Sequence, residues 1–482
     1  MLYNSLSYGV FFAVVALGVW ALPTHRSRLG FLLLASWLFY TAWYPIYLLL
    51  FLASVALNFA AGLAIAAARV ERPAAARRLL VATVALNLAN LGFFKYYNFF
   101  VQSGVQIARA FGARWSAPAA DIFLPLGISF YTFQKIAYVV DVYRGVTPAI
   151  RNPLKMSLFA AFFPQLIAGP IVRSNEFIPQ LAAKRRFDAQ RLLHGLDLIA
   201  VGMFKKVLIA DQLALFVDRV FAAPRGLGSG TLLLAAYAYS VQIYCDFSGY
   251  TDIGRGSAYC LGYELPRNFR FPYLSLNLTE FWRRWHMTLS QWLRDYLYIP
   301  LGGNRRGAAR TYWNLMVTMA LGGLWHGASW NFVIWGILHG AGLALTRLVH
   351  ERSGVAPSRP LFAGRAYRVL STAATFHFVT FAWIFFRAGG LSPALTVISG
   401  IASASWIGPT DIGAFGRVQL ALVAVALLAL GVLQPLASAA GRAQLQRSRA
   451  WAAARPLFYF AVTVGILLLA GRGPQQFIYF QF

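Results

Sequence analysis

Leu29–Phe51 reads LGFLLLASWLFYTAWYPIYLLLF and holds no Asp, Glu, Lys or Arg. A helix needs about 20 apolar residues to cross roughly 30 Å of hydrocarbon, and this stretch is long enough. Trp43-Tyr44-Pro45 interrupts it. Proline ends a helix, and paired aromatics favour the headgroup level, so the stretch predicts two helices joined by a tight outer turn, the second running to Ala68. Runs of the same kind recur at Val10–Leu22, at Leu79–Phe100 (broken only by Lys95) and at Leu420–Leu433 with its flanks. Of the 482 residues, 59% are hydrophobic and 12% charged. That charged fraction is about half of what a soluble domain carries. The predicted fold class is therefore all-α and polytopic, with about 11 or 12 membrane segments of about 20 residues each. We read residues 1–482 as one membrane-embedded domain. No internal repeat is evident, which gives an inverted-repeat transporter no support.

The flanks of these runs set a topology. Met1-Leu-Tyr-Asn-Ser has no basic side chain, whereas Arg26 and Arg28 follow the first run. A cleaved signal peptide has the opposite arrangement, so an uncleaved first helix with its basic end in the cytosol is expected. Arg69–Arg78 carries four Arg against one Glu and falls on the same side, as does the basic stretch Asp141–Lys155. The net charge of +28 follows from such loops, and no nucleic-acid motif accompanies it. Phe159–Val172 is too short to span and contains Pro164, Gly169 and Pro170, which predicts a re-entrant or broken segment. Further helices are expected over Tyr312–Val349, Tyr367–Phe386, Val418–Leu436 and Ala452–Leu469. Cys245 and Cys260 lack CxxC spacing, so neither a metal site nor a disulfide is implied.

Ionisable residues inside apolar segments are costly and are functional candidates. From Arg255 to Arg310 there are nine Arg against Glu264, Glu280 and Asp295. Within this region Phe281–Tyr298, FWRRWHMTLSQWLRDYLY, places Trp282, Trp285, Leu289, Trp292, Leu293 and Tyr296 on one helical stripe. Arg283, Arg284, Gln291, Arg294 and Asp295 fall opposite, so an amphipathic helix is expected. His286 sits about 40° from Trp282 on such a helix, at the margin of the aromatic face. Partial desolvation there favours neutral imidazole, although one backbone hydrogen bond would also explain a histidine in that place. The arginines either grip lipid phosphates or receive a phosphate-bearing cosubstrate.

Leu321–Ile334, LGGLWHGASWNFVI, is the second focus. His326 lies in an apolar helical pattern, and Gly322, Gly323 and Gly327 remove side-chain bulk around it, leaving room for a neighbouring helix or a substrate chain. Trp325, Trp330 and Asn331 are candidate cavity walls. His339, thirteen residues on, is expected on nearly the opposite face as a packing or tunnel-wall residue. The third focus, Gln242–Gly256, holds Asp246 and Asp252, which need partners that nearby Tyr and Arg side chains could supply. Glycines 249, 254 and 256 suggest a bent or broken helix there.

With those residues in view, the chain resembles the membrane-bound O-acyltransferases, in particular their bacterial polysaccharide-modifying branch. The matching stretches are FLPLGISFYTFQKIAYVVDVYRG (Phe123–Gly145), FFPQLIAGPIVR (Phe162–Arg173), YCDFSGYTDIGRG (Tyr244–Gly256), FRFPYLSLNLTEFWRRWHMTLSQWLRDYLYIPLGGNRRG (Phe269–Gly307), LWHGASWNF (Leu324–Phe332) and FIYFQF (Phe477–Phe482). The resemblance implies a fold of bent and re-entrant helices around a central tunnel, with a catalytic core over about residues 123–345. It carries the family's hallmark histidine onto His326 and its second active-site residue onto His286. Relatives that acylate proteins or lipids often have Asn or Asp at that second position, so histidine favours the polysaccharide branch.

The implied chemistry is transfer of an acetyl group from acetyl-CoA, entering from the cytosol near the basic Arg255–Arg310 region, across a bacterial inner membrane, with Arg283 and Arg284 as the donor-binding candidates. The implied acceptor is an exported polysaccharide such as alginate, reached directly or through a periplasmic acetyltransferase or esterase-like partner. Peptidoglycan, cellulose, or teichoic acid with D-alanine as the acyl group are alternative acceptors. A transporter or flippase of a lipid-linked substrate is the rival class. Membrane lipids are expected partners; no bound cofactor or metal is expected.

Overall fold

The structure, a computed structural model, describes residues 1–167, 169–356, 359–403 and 448–469. The expected helix Val418–Leu436 and the segment Phe477–Phe482 lie outside the described residues. All regular structure among the described residues is helical. Among the described residues, five helices are long and apolar enough to cross a membrane: Tyr47–Glu71, Pro73–Ala110, Trp330–Ser353, Arg365–Arg387 and Ala450–Leu468. Leu6–Ala21 and Leu391–Ala402 are apolar but shorter. The all-α, polytopic membrane class stands. The chain divides into two compact units, one of residues 1–197 with 254–266 and the other of residues 198–253 with 267–482.

In the first unit, Ser5 and Thr24 start the first two helices, their hydroxyl oxygens accepting from the Tyr8 and Ser27 amides at 3.2 and 3.1 Å. The predicted interruption at Trp43–Pro45 separates His25–Thr41 from Tyr47–Glu71. Tyr47–Glu71 and Pro73–Leu91 are joined by reciprocal amide bonds between Asn58 and Asn87 at 3.1 and 3.0 Å. Side-chain amides bind apolar helices to one another in this way where the hydrophobic effect cannot. At Lys95 the helix does not stop; a π-turn over Gly92–Tyr96 carries it on to Ala110. Lys135 is fully buried, with its ammonium 4.2 Å from the Tyr131 ring centroid and donating to Ser54.

The segment Phe159–Val172 is broken as expected. One helix ends at Ala161, Phe162 turns with φ −52° and ψ 106°, and a single turn Phe163–Leu166 follows. Gln134 and Gln165 both donate to the Phe159 carbonyl, at 2.8 and 2.7 Å, satisfying backbone that the break releases. Gly127 is required beside it: its φ is +66°, and a Cβ there would lie 2.5 Å from the Leu166 oxygen.

In the second unit, Ala308–His326 and Trp330–Ser353 form a tight hairpin. A Cβ on Gly323 would meet the Phe332 oxygen at 2.0 Å, and one on Gly336 the Met319 oxygen at 2.2 Å. These glycines therefore let two backbones touch. The space around His326 that the sequence suggested was emptied is occupied: a Cβ on Gly327 would lie 2.2 Å from the Phe332 ring.

Two further expectations are corrected. Ser229–Cys260 is one unbroken helix despite its glycines. Gly249 is a contact point rather than a bend, since its Cβ would lie 2.8 Å from the Gly202 oxygen. Asp246 and Asp252 are ion-paired, but to lysines: Lys206 reaches Asp246 and Asp211 at 2.6 Å each, and Lys205 reaches Asp252 at 2.7 Å. Both lysines stand on the π-helical stretch Phe204–Ala210, far away in sequence.

Candidate active site

His326 is the last residue of its helix. Gly327 leaves the helix with φ −162° and ψ 155°, and the Ser329 hydroxyl caps the next one, accepting from the Asn331 amide at 3.3 Å. Asn331 in turn donates to the Ala388 carbonyl at 3.0 Å, fixing the end of Arg365–Arg387 against this corner. The His326 imidazole is boxed by Trp325, Trp335 and Phe386, with ring centroids 5.1, 5.1 and 5.2 Å away, and is 3% exposed. Edge-on aromatic packing of this kind holds a ring in one orientation.

The continuous helix expected over Phe281–Tyr298 breaks at the histidine. Leu278–Arg284 ends, Trp285 is extended, and His286 takes φ 40° and ψ 54° before Met287–Leu293 begins. The buried stripe survives the break, because Trp282, Trp285, Leu289, Trp292 and Leu293 are all buried, but the position of His286 on a helical wheel does not apply. His286 and Phe271 are the only non-glycine residues with positive φ among the described residues. Such conformations persist where the surroundings impose them, and they concentrate at functional sites. Asn268 imposes this one: its carbonyl accepts from the Met287 amide at 2.9 Å, and its side-chain oxygen from the Thr288 hydroxyl at 2.7 Å.

His286 is fully buried against Phe247, 4.7 Å between centroids, and neither ring nitrogen has a hydrogen-bond partner among the described residues. Burial pushes its imidazole down to about 3. A histidine buried neutral binds its proton more readily unfolded, so its share of stability is present above the ordinary imidazole value of about 6.5 and is lost as pH falls below it towards the folded value. The melting temperature of the detergent-purified protein is expected to fall with acidification from pH 6.5, and less steeply in His286→Gln. Parallel curves would contradict this.

His286 and His326 are bridged by one ring. Trp325 lies 6.1 Å from His286 and 5.1 Å from His326. His339 joins the same cluster, 4.7 Å from Trp335 and 5.3 Å from Trp282. The opposite-face expectation for His339 fails because the helix ends at His326, and the hairpin folds His339 back to the ring that boxes it.

A cavity of about 430 Å³ opens beside this cluster. Trp282, Arg283, Met287, Gln291, Arg294 and Arg347 are among its walls. Trp282 thus has one side on the cavity and touches His339, while Met287 adjoins His286. Arg283 is exposed on the cavity, and its guanidinium makes no hydrogen bond or ion pair among the described residues. Arg284 instead pairs with Glu280, one turn earlier on the same helix. Arg347, paired with Glu351 at 2.6 Å, and Arg294, with Asp295 at 2.6 Å, complete the cationic wall. Sequence reading missed Asn268, Trp335, Arg347 and Phe386. Of these only Arg347, a charge within an apolar helix, carried a local signal.

Residues 146–387 match the model of "MBOAT, membrane-bound O-acyltransferase family". The chain is 41% identical over 433 residues to the Pseudomonas aeruginosa protein named "Probable alginate O-acetylase AlgI", covering 90% of this chain and 80% of that one. It is 38% identical to the Pseudomonas putida protein of the same name, with both chains fully covered. A "Peptidoglycan O-acetyltransferase" of Helicobacter pylori is 39% identical over 77% of this chain and 73% of its own. The chain belongs to the membrane-bound O-acyltransferase family, and it is a multi-pass membrane O-acyltransferase.

Proposed function

We propose that the protein moves an acetyl group from cytosolic acetyl-CoA across a bacterial inner membrane for O-acetylation of an exported polysaccharide of the alginate type. The observation that carries the reading is His326 itself: a buried imidazole fixed at a helix end by three aromatic rings, with a second buried histidine on the far side of Trp325. His326 would take the proton from the acceptor hydroxyl as its oxygen attacks the thioester carbonyl. The C–O bond forms, the C–S bond breaks, and the proton leaves with the thiolate as free CoA thiol. Positioned acid–base help of this kind contributes about 10²–10⁴-fold. His286, kept neutral by burial and with both ring nitrogens available, would polarise the carbonyl through its ring N–H, while the proton taken by His326 goes to the leaving sulfur.

Arg283 would hold the donor's phosphates at the mouth of the cavity, with Arg284 supporting it from the Glu280 pair. Guanidinium forks match phosphate oxygens, and a charged hydrogen bond of that kind contributes about 1.5–3 kcal/mol. The acceptor follows the relatives named as alginate O-acetylases; the relative named as a peptidoglycan O-acetyltransferase makes peptidoglycan the second reading. A periplasmic transferase partner would complete delivery to the polymer.

The test is transfer of labelled acetyl from acetyl-CoA by the purified, bilayer-reconstituted protein to polyuronate or peptidoglycan fragments. Label on polyuronate supports the first reading, and label on peptidoglycan alone replaces it with the second. Arg283→Ala should raise the KM for acetyl-CoA about tenfold with kcat little changed. No release of free CoA from acetyl-CoA by the purified protein, or an unchanged KM, would sink the donor assignment.

A further inference from the structure

We propose that the first unit carries a binding site for an anionic phospholipid, with the lipid phosphate held in a basic pocket and an acyl chain laid along the first helix. The pocket encloses about 350 Å³ and is walled by Trp20, Pro23, His25, Phe187 and four cations, Arg28, Lys184, Arg185 and Arg186. None of its lining residues is acidic. The nearest acids in sequence are engaged elsewhere. Asp188 caps the following helix, accepting from the Gln190 amide at 2.8 Å, and Glu264 pairs with Arg191 at 2.6 Å.

The cations are placed, not merely crowded. Arg28 lies 5.3 Å from the Trp20 ring centroid and donates to the Leu22 and Arg185 carbonyls at 2.8 and 2.9 Å. His25 is fixed by the Leu181 carbonyl at 2.9 Å. Arg185 lies 5.8 Å from the Tyr263 ring centroid, and its Nε is buried with no hydrogen-bond partner among the described residues. Lys184 and Arg186 are exposed and make no ion pair among the described residues. Four like charges converging on one cavity repel one another unless an anion joins them, and phosphate oxygens are the group that guanidinium and ammonium donors match.

A second feature selects a lipid over a soluble phosphate. Leu6, Val10, Val14 and Leu17 are 85, 58, 60 and 74% exposed. On the helix Leu6–Ala21 they fall within an arc of about 80°, a single apolar stripe. The stripe runs about 16 Å along the helix, and Trp20, one turn past Leu17, is a wall of the pocket. A headgroup in the pocket therefore has a chain-length apolar track beginning at its edge. A zwitterionic headgroup would bring a quaternary ammonium against four cations, so the site favours an anionic one.

The test uses full-length protein stripped of lipid in detergent, titrated with phosphatidylglycerol or phosphatidylcholine and read by native mass spectrometry. Phosphatidylglycerol should bind, and Lys184→Ala combined with Arg186→Ala should weaken it about tenfold. Both positions are exposed, so the pair should fold; a melting temperature equal to that of the unaltered protein checks this. Phosphatidylcholine should bind at least tenfold more weakly, and millimolar inorganic phosphate should not displace phosphatidylglycerol. Equal retention of the two lipids, unaltered binding in the double variant, or displacement by inorganic phosphate would each overturn the proposal.

Discussion

His326→Ala is expected to lower acyl transfer by at least about 10²–10⁴-fold while the protein remains inserted in the membrane and folded. The large effect follows from the place of the residue. It is buried, its ring is fixed by Trp325, Trp335 and Phe386, and the hairpin Ala308–Ser353 turns on the residue immediately after it. Truncation also opens a void among three rings, which by itself costs stability. His326→Gln separates the two effects, because it keeps most of the volume and removes the imidazole. Both variants should elute as the unaltered protein does in size exclusion and give no acetylated glycan. Full acetylation by either folded variant would contradict the assignment.

The second large effect is on the fold. Lys206→Met should destabilise the protein by about 3–5 kcal/mol, enough to lose most folded material at growth temperature. Lys206 is 1% exposed and joins Asp211 to Asp246 at 2.6 Å each. Removing its ammonium leaves two buried carboxylates facing each other without compensation. Lys205→Met, whose ion pair with Asp252 is more open to solvent, should cost markedly less. Equal melting temperatures for Lys206→Met and the unaltered protein would show that the network is dispensable.

Membrane class and helix breaks were legible wherever the chain itself carries the cause. Leu29–Phe51 is apolar throughout, and Pro45 ends a helix without help from any other residue. Phe159–Val172 was readable as broken because Pro164 and Gly169 lie within it. His286 was not legible in the same way. The aromatic stripe from Trp282 to Leu293 keeps its helical period across the break, while the force that bends the backbone comes from Asn268, eighteen residues away in the chain. The partners of Asp246 and Asp252 were hidden for the same reason, since lysines on a different helix supply them. The glycines near His326 misled in a different manner. A small residue signals that something approaches closely, but the sequence does not say whether that is substrate or backbone, and here Phe332 fills the space. The roles proposed for His326 and His286 rest on the resemblance. The structure adds that one tryptophan lies between them and that His339 shares their cluster.

The central claim is that His326 and His286 act as one site. The most direct measurement is the single-turnover rate of labelled acetyl transfer from acetyl-CoA to acceptor by purified His326→Ala, His286→Ala and the combined variant, each verified as folded. Residues that act together are strongly non-additive, so the combined variant should be no slower than His326→Ala alone. Independent losses that multiply in the combined variant, or transfer at the unaltered rate by His326→Ala, would contradict the account.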